Sequence, residues 1–159
     1  MTTIKGNLVM SKDMEYEGDL IVKGNILGKN GNRYNLKVHG NITAWDIDAW
    51  DISAWNITAG NINAGNITAK NITAKNITAG NLDVGDIDAW DISAWNITAK
   101  NITAGNLDVG DIDARNIDAG NISYYAVCFA YKNIKCKSIK GTRNNAKHFV
   151  LDGKIEVVK

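Results

Sequence analysis

From Asn41 to Gly120 the apolar and polar positions of the chain recur every five residues, as in NITAW DIDAW DISAW NITAG. Sixteen such pentads follow one another without a gap. Position one is Asn or Asp, and position two is Ile, or Leu at Leu82 and Leu107. Position four is Ala, or Val at Val84 and Val109, and position five is Gly, Trp, Lys or Arg. A period of five matches neither the 3.6 of an α-helix nor the 2.0 of a long flat strand. Within each pentad, however, the Ile and Ala stand two apart, which is the spacing of one face of a strand. Ile-x-Ala therefore reads as a three-residue strand with both apolar side chains inward. The two residues that follow turn a corner, where Asn and Asp bond neighbouring backbone and tolerate unusual dihedrals. A chain that turns every five residues is a β-solenoid, its coils stacked at about 4.8 Å through backbone ladders.

The corner residues suggest how many pentads make a coil. Read twenty residues apart, position five gives the columns Trp50–Lys70–Trp90–Gly110 and Trp55–Lys75–Trp95–Arg115. Aromatic and cation alternate, as stacking of a cation on an aromatic face favours. The segment DIDAWDISAWNIT also recurs forty residues on, from Asp46 and again from Asp86. The expectation is four pentads per coil, about twenty residues. On that reading Ile47 and Ala49, Ile67 and Ala69, Ile87 and Ala89, and Leu107 and Val109 form one inward stack.

The whole chain, 1–159, reads as a single solenoid domain in three stretches: 1–40, 41–120 and 121–159. In the first, Ile4-Lys-Gly-Asn-Leu8, Val22-Lys-Gly-Asn-Ile26 and Val38-His-Gly-Asn-Ile42 share one pattern. It predicts short strands with Gly-Asn corners in less regular coils, closed off by Met10, Met14 and Tyr16. In the last stretch the pentads distort. Ile122-x-Tyr124, Val127-x-Phe129, Ile134-x-Cys136 and Ile139-x-Gly141 are read as the inward pairs, with extra residues near Tyr131-Lys132. Cys128 then points outward, Lys135 stacks over Asp113 and Lys140 over Asp118. HFVLDGKIEVV reads as a β-hairpin turning at Asp152-Gly153. Both ends are thus expected to be irregular β caps.

Composition sharpens this picture. The chain has 21 Asn, 21 Ile and 17 Ala, with 15 Gly and no Pro. Such a bias is poor material for an ordinary enzyme domain, so no enzyme activity is expected, and the lack of Pro suits a fold in which each N–H seeks a ladder partner. The net charge of +1 hides a segregation. Residues 41–120 carry 11 Asp against three Lys and one Arg, while residues 121–159 carry a balance of +6. No apolar run approaches the roughly 20 residues of a membrane span. The opening MTTIKGNLVM lacks a secretory apolar stretch, which predicts a cytoplasmic protein and makes the eight Asn-x-Ser/Thr triplets by-products of the repeat.

The tandem pentads resemble the pentapeptide-repeat family, whose pattern A-(N/D)-L-x-x places a small residue two before a large one. Here Ala44 stands two after Ile42, so the register differs. The resemblance covers about half the chain. It implies a right-handed quadrilateral β-helix. Through members that mimic DNA, it also implies a topoisomerase (gyrase)-binding role. Other members self-associate.

Chemistry-bearing constellations are sparse. Asp108, Asp111, Asp113 and Asp118 fall mostly on separate columns, and His39 and His148 have no evident nucleophile or carboxylate partner in sequence. No catalytic residue, cofactor, metal or small-molecule substrate is therefore expected. The expectation is a non-enzymatic β-helical scaffold with a protein partner or a second copy of itself. Tyr124, Tyr125, Phe129, Tyr131 and Phe149 supply the densest aromatic cluster for an interface. The corner Trp residues and the C-terminal lysines leave open a carbohydrate or nucleic-acid contact, of which nucleic acid is the less expected.

Overall fold

The structure is a computed structural model. It describes the backbone of residues 1–158, and side chains except at 65, 68–71, 74–76, 79–81, 84–86, 88–91, 93–101 and 104–105. The chain is a β-solenoid built from a parallel sheet of stacked coils. Short strands come first: β1 (Thr2–Ile4), β2 (Leu8–Met10), β3 (Met14–Tyr16), β4 (Leu20–Val22), β5 (Ile26–Gly28), β6 (Leu36–Val38), β7 (Ile42–Thr43) and β8 (Asp46–Asp48). A single turn of 3-10 helix, Lys29–Gly31, interrupts them. From Asp51 to Gly141 the chain keeps ladder partners without a break as it winds round the coils, a stretch called β9, and it closes with β10 (Lys147–Val150) and β11 (Lys154–Val157).

The coil is three-sided, which corrects the four-pentad expectation. One face stacks β1, β4, β7 and then Ile57, and a second stacks β2, β5, β8 and then Ile62. The third stacks β3, β6 and then Ile52. Ile42 pairs with Ile57 and Ile47 with Ile62, fifteen residues apart. Fifteen residues also separate Asn106 and Asn121, whose side chains are bonded at 2.9 Å. Three pentads therefore make one coil. Where the corner side chains are described, the spacing is not twenty: Asp46 lies against Asn61, not against residue 66.

The physical reason lies in position one. Asp46 Oδ1 accepts both the backbone N–H and the side-chain N–H of Asn61, at 2.9 and 2.8 Å. Asp51 does the same for Asn66. Among the described corners, Asn41 ties Asn56 and Asn106 ties Asn121 through their side-chain amides in the same fifteen-residue step. The opening coils use the same device with wider loops. Asp19 Oδ1 accepts the N–H of Asn41 at 2.8 Å and Asn7 Oδ1 that of Asn25 at 2.9 Å. Here the Gly-Asn corners have a steric basis. A Cβ on Gly24 would sit 2.5 Å from Asn7 Oδ1, and one on Gly40 2.6 Å from Asp19 Oδ1.

The inward pairs fill the lumen. Ile47, Ala49, Ile67, Ile87, Leu107 and Val109 are all buried, as the alternation predicts. Ala69 and Ala89 lie outside the described side chains. Each buried Ile contributes about 1.5–3 kcal/mol before chain entropy is subtracted. Met10 is fully buried in the first coil, where Met14 and Tyr16 pack against the core.

The C-terminal stretch departs from the sequence reading in three places. Val127 is exposed and Cys128 fully buried, so the inward pair is Cys128 and Ala130, not Val127 and Phe129. One extra residue in the Tyr125-Ala126 corner shifts the phase. Val127 takes the corner position, where its N–H is held by Asp111 Oδ1 at 2.9 Å. Lys135 reaches Asp118 at 3.9 Å, so the expected stacking on Asp113 gives way to a register of seventeen residues. Finally, β10 and β11 do not form a hairpin. Each pairs in parallel with β9, His148 over Cys128 and Ile155 over Ile134, and Asp152-Gly153 turns a corner between two faces of one more coil.

Candidate functional surfaces

The three-sided coil brings three aromatic corners onto one level. Trp45, Trp50 and Trp55 occupy successive corners and are 67%, 57% and 64% exposed. Their backbones are held firmly: the N–H groups of Trp45, Trp50 and Trp55 donate to the carbonyls of Gly24, Tyr34 and Gly40. On the next coil Gly60 donates its N–H to the Trp45 carbonyl, so the indole of Trp45 meets a corner with no side chain. A Cβ there would lie 2.9 Å from that carbonyl oxygen. The described indoles form a ring around one coil. Lys70, Lys75, Trp90 and Trp95 of the expected aromatic–cation columns lie outside the described side chains, and Arg115 is exposed.

The aromatic cluster of the last coils divides into an inside and an outside. Tyr124 faces the lumen and is buried, its ring filling the space beneath Gly141, where a Cβ would come within 3.0 Å of it. Its hydroxyl shares a 2.9 Å hydrogen bond with His148 Nδ1. Burial, then the neighbouring Cys128, pushes the Tyr124 phenol above its usual range. Tyr125, Tyr131 and Phe149 are exposed. Phe149 packs on the half-buried Phe129 with ring centroids 5.1 Å apart, and Arg143 lies 6.0 Å from the Tyr125 ring. A hydrogen bond to Asp152 raises the Tyr131 phenol.

Both cysteines are buried and free. Burial, then the proximity of Cys136, pushes the Cys128 thiol up to about 12. Burial also raises Cys136. Such thiols are poor nucleophiles, since the thiolate is the reactive form. This corrects the outward placement of Cys128 and leaves it a packing role.

One cluster was not legible as a unit in the sequence. Glu15 and Lys37 pair across β3 and β6, and Glu17 and His39 follow on the same outer face. Lys37 lies 2.8 Å and His39 2.5 Å from Glu15, and His39 lies 3.8 Å from Glu17. The Lys37 and His39 hydrogen bonds hold the Glu15 carboxyl below its usual value. The only clue was a twenty-two-residue offset, which the irregular loops of 1–40 conceal. All four groups are exposed, which makes the cluster a weak surface tie.

No described helix is long and apolar enough to cross a membrane. Compared with family models, with curated proteins and with solved structures, the chain finds no match in any of the three.

Proposed function

We propose that this chain is a non-enzymatic β-helical scaffold that works by binding other protein surfaces, a second copy of itself included. The observation that carries the reading is the ring of three exposed indoles on one coil. Large exposed aromatics are costly on a surface that binds nothing, and indole is the side chain most enriched at the energetic centres of interfaces. The lumen supports the same reading, because Ile, Ala and their substitutes fill it along the described length. Tyr124, Cys128 and Cys136 are buried in the lumen at its C-terminal end, and the described charged side chains lie on the outer face.

The test replaces Trp45, Trp50 and Trp55 together by Ser. The tagged wild-type chain and the variant are compared for the proteins they capture at matched melting temperature. A partner captured by the wild type and lost by the variant supports the reading. Unchanged capture, or an unfolded variant from which Trp→Phe replacements rescue stability alone, assigns the indoles to the fold.

A further inference from the structure

The two ends of the rod are finished differently. At the first coil Leu8 and Met10 are buried, and the Tyr16 hydroxyl lies 3.8 Å from Met14 Sδ. At the other end β10 and β11 are each paired on one side, to β9. The lumen-facing positions above Ala130, Ile134 and Cys136 are Val150, Ile155 and Val157. Val150 and Ile155 are partly covered, Val157 is 55% exposed, and Leu151 and Val158 stand exposed beside them. An open strand edge with apolar residues at its rim is a template for pairing with another chain.

We propose that this edge is the interface of an isologous homodimer. In it β11 pairs antiparallel with the same strand of a second copy, about a two-fold axis through Ile155. The proposal rests on the scaffold reading above and names one of its partners.

The sequence of β11, Lys-Ile-Glu-Val, selects this register. Lys154 and Glu156 point outward, their charged groups 3.2 Å apart, and Ile155 points to the lumen. In a sheet, residues directly opposite share a face, so only registers that set inward against inward are compatible with the core. Three such registers are close to the centre of the strand. One sets Lys154 against its own copy and one sets Glu156 against its own copy, and like charges directly opposite repel. The third sets Ile155 on Ile155 inside and Lys154 on Glu156 outside, twice. It also closes on itself, whereas head-to-tail stacking would continue without limit.

Sedimentation equilibrium of the full chain over roughly two decades of concentration tests this. The expected species has twice the 17.3 kDa chain mass. Glu156→Lys sets lysine against lysine across the axis and is expected to weaken the dimer roughly tenfold or more. The double exchange Lys154→Glu with Glu156→Lys restores the opposite pairs and is expected to restore it. Far-ultraviolet circular dichroism confirms that each variant is folded. A wild type that stays monomeric, a series growing beyond the dimer, or a dimer indifferent to Glu156→Lys overturns the proposal. A monomer that still captures protein through its tryptophans overturns the dimer and leaves the scaffold reading standing.

Discussion

At the scale of single residues, the fold is held by an alternation that tolerates little. Ile77 is buried in the regular shaft. Ile77→Asp would place a carboxylate among Ile and Ala side chains with no cation to meet it, a cost of about 4 kcal/mol or more. The expected outcome is loss of the cooperative thermal transition, read by circular dichroism. Gly60 is constrained differently. Its Cβ-free backbone lies against the Trp45 carbonyl and Asp46 Oδ1, so Gly60→Ala forces the coils apart. A loss of about 1–3 kcal/mol is expected from denaturant unfolding. The position-one residues also held the clue to coil size. Read at fifteen, Asp46 is followed by Asn61, Asp51 by Asn66, and no first-position Asp falls on another. Read at twenty, Asp91 falls on Asp111. The Trp and Lys columns at twenty compete with this reading, but a side-chain stack on a corner is worth less than a carboxylate that satisfies a backbone N–H, as Asp46, Asp51 and Asp111 do.

At the scale of elements, strand alternation was legible wherever the pentads are regular, and it failed where one residue is inserted. The corner at Tyr125-Ala126 changes which of two neighbours faces inward, and Val127 and Cys128 are both apolar enough to fit either side. Nothing in their chemistry decides it; the bond from Val127 N–H to Asp111 does. The Asp152-Gly153 turn departs from the hairpin expectation for a related reason. The dipeptide suits a hairpin, but the parallel ladder offered by β9 satisfies both flanking strands at once. The two readings differ in a measurable way. A hairpin turn accepts Asn in place of Gly, because Asn tolerates a positive φ. Here Gly153 is needed for room, since a Cβ would lie 1.7 Å from the Lys132 carbonyl oxygen. Gly153→Asn and Gly153→Ala are therefore expected to be equally damaging. Both should strip hydrogen-exchange protection from β11 while the shaft keeps its own.

At the scale of the whole molecule, stacking makes the rod one-dimensional, so each coil depends on its neighbours and the ends respond first. This gives the alkaline limb of stability a location. The Cys128 thiol lies in the last full coil beneath β10, with its pKa pushed up to about 12 by burial and then by Cys136. In the unfolded chain the same thiol ionises near about 8.5. Below that value both states hold the proton, and the thiol adds no pH dependence. Above it the unfolded chain releases a proton that the folded chain retains. Stability then falls with rising pH, by up to about 1.4 kcal/mol per unit, until the folded thiol also ionises. Cys136 is shifted in the same direction and adds to the fall over the same range, and Tyr124, whose unfolded phenol ionises at about 10, adds to it at higher pH. The melting temperature is therefore expected to drop between about pH 9 and 11, with β10 and β11 losing exchange protection before the shaft. Cys128→Ala removes one of the two thiol ionisations that begin there and should make the early part of that fall shallower. If the variant and the wild type lose stability in parallel from pH 9, Cys128 is not held in the lumen, and the inward pairing of Cys128 with Ala130 falls with it.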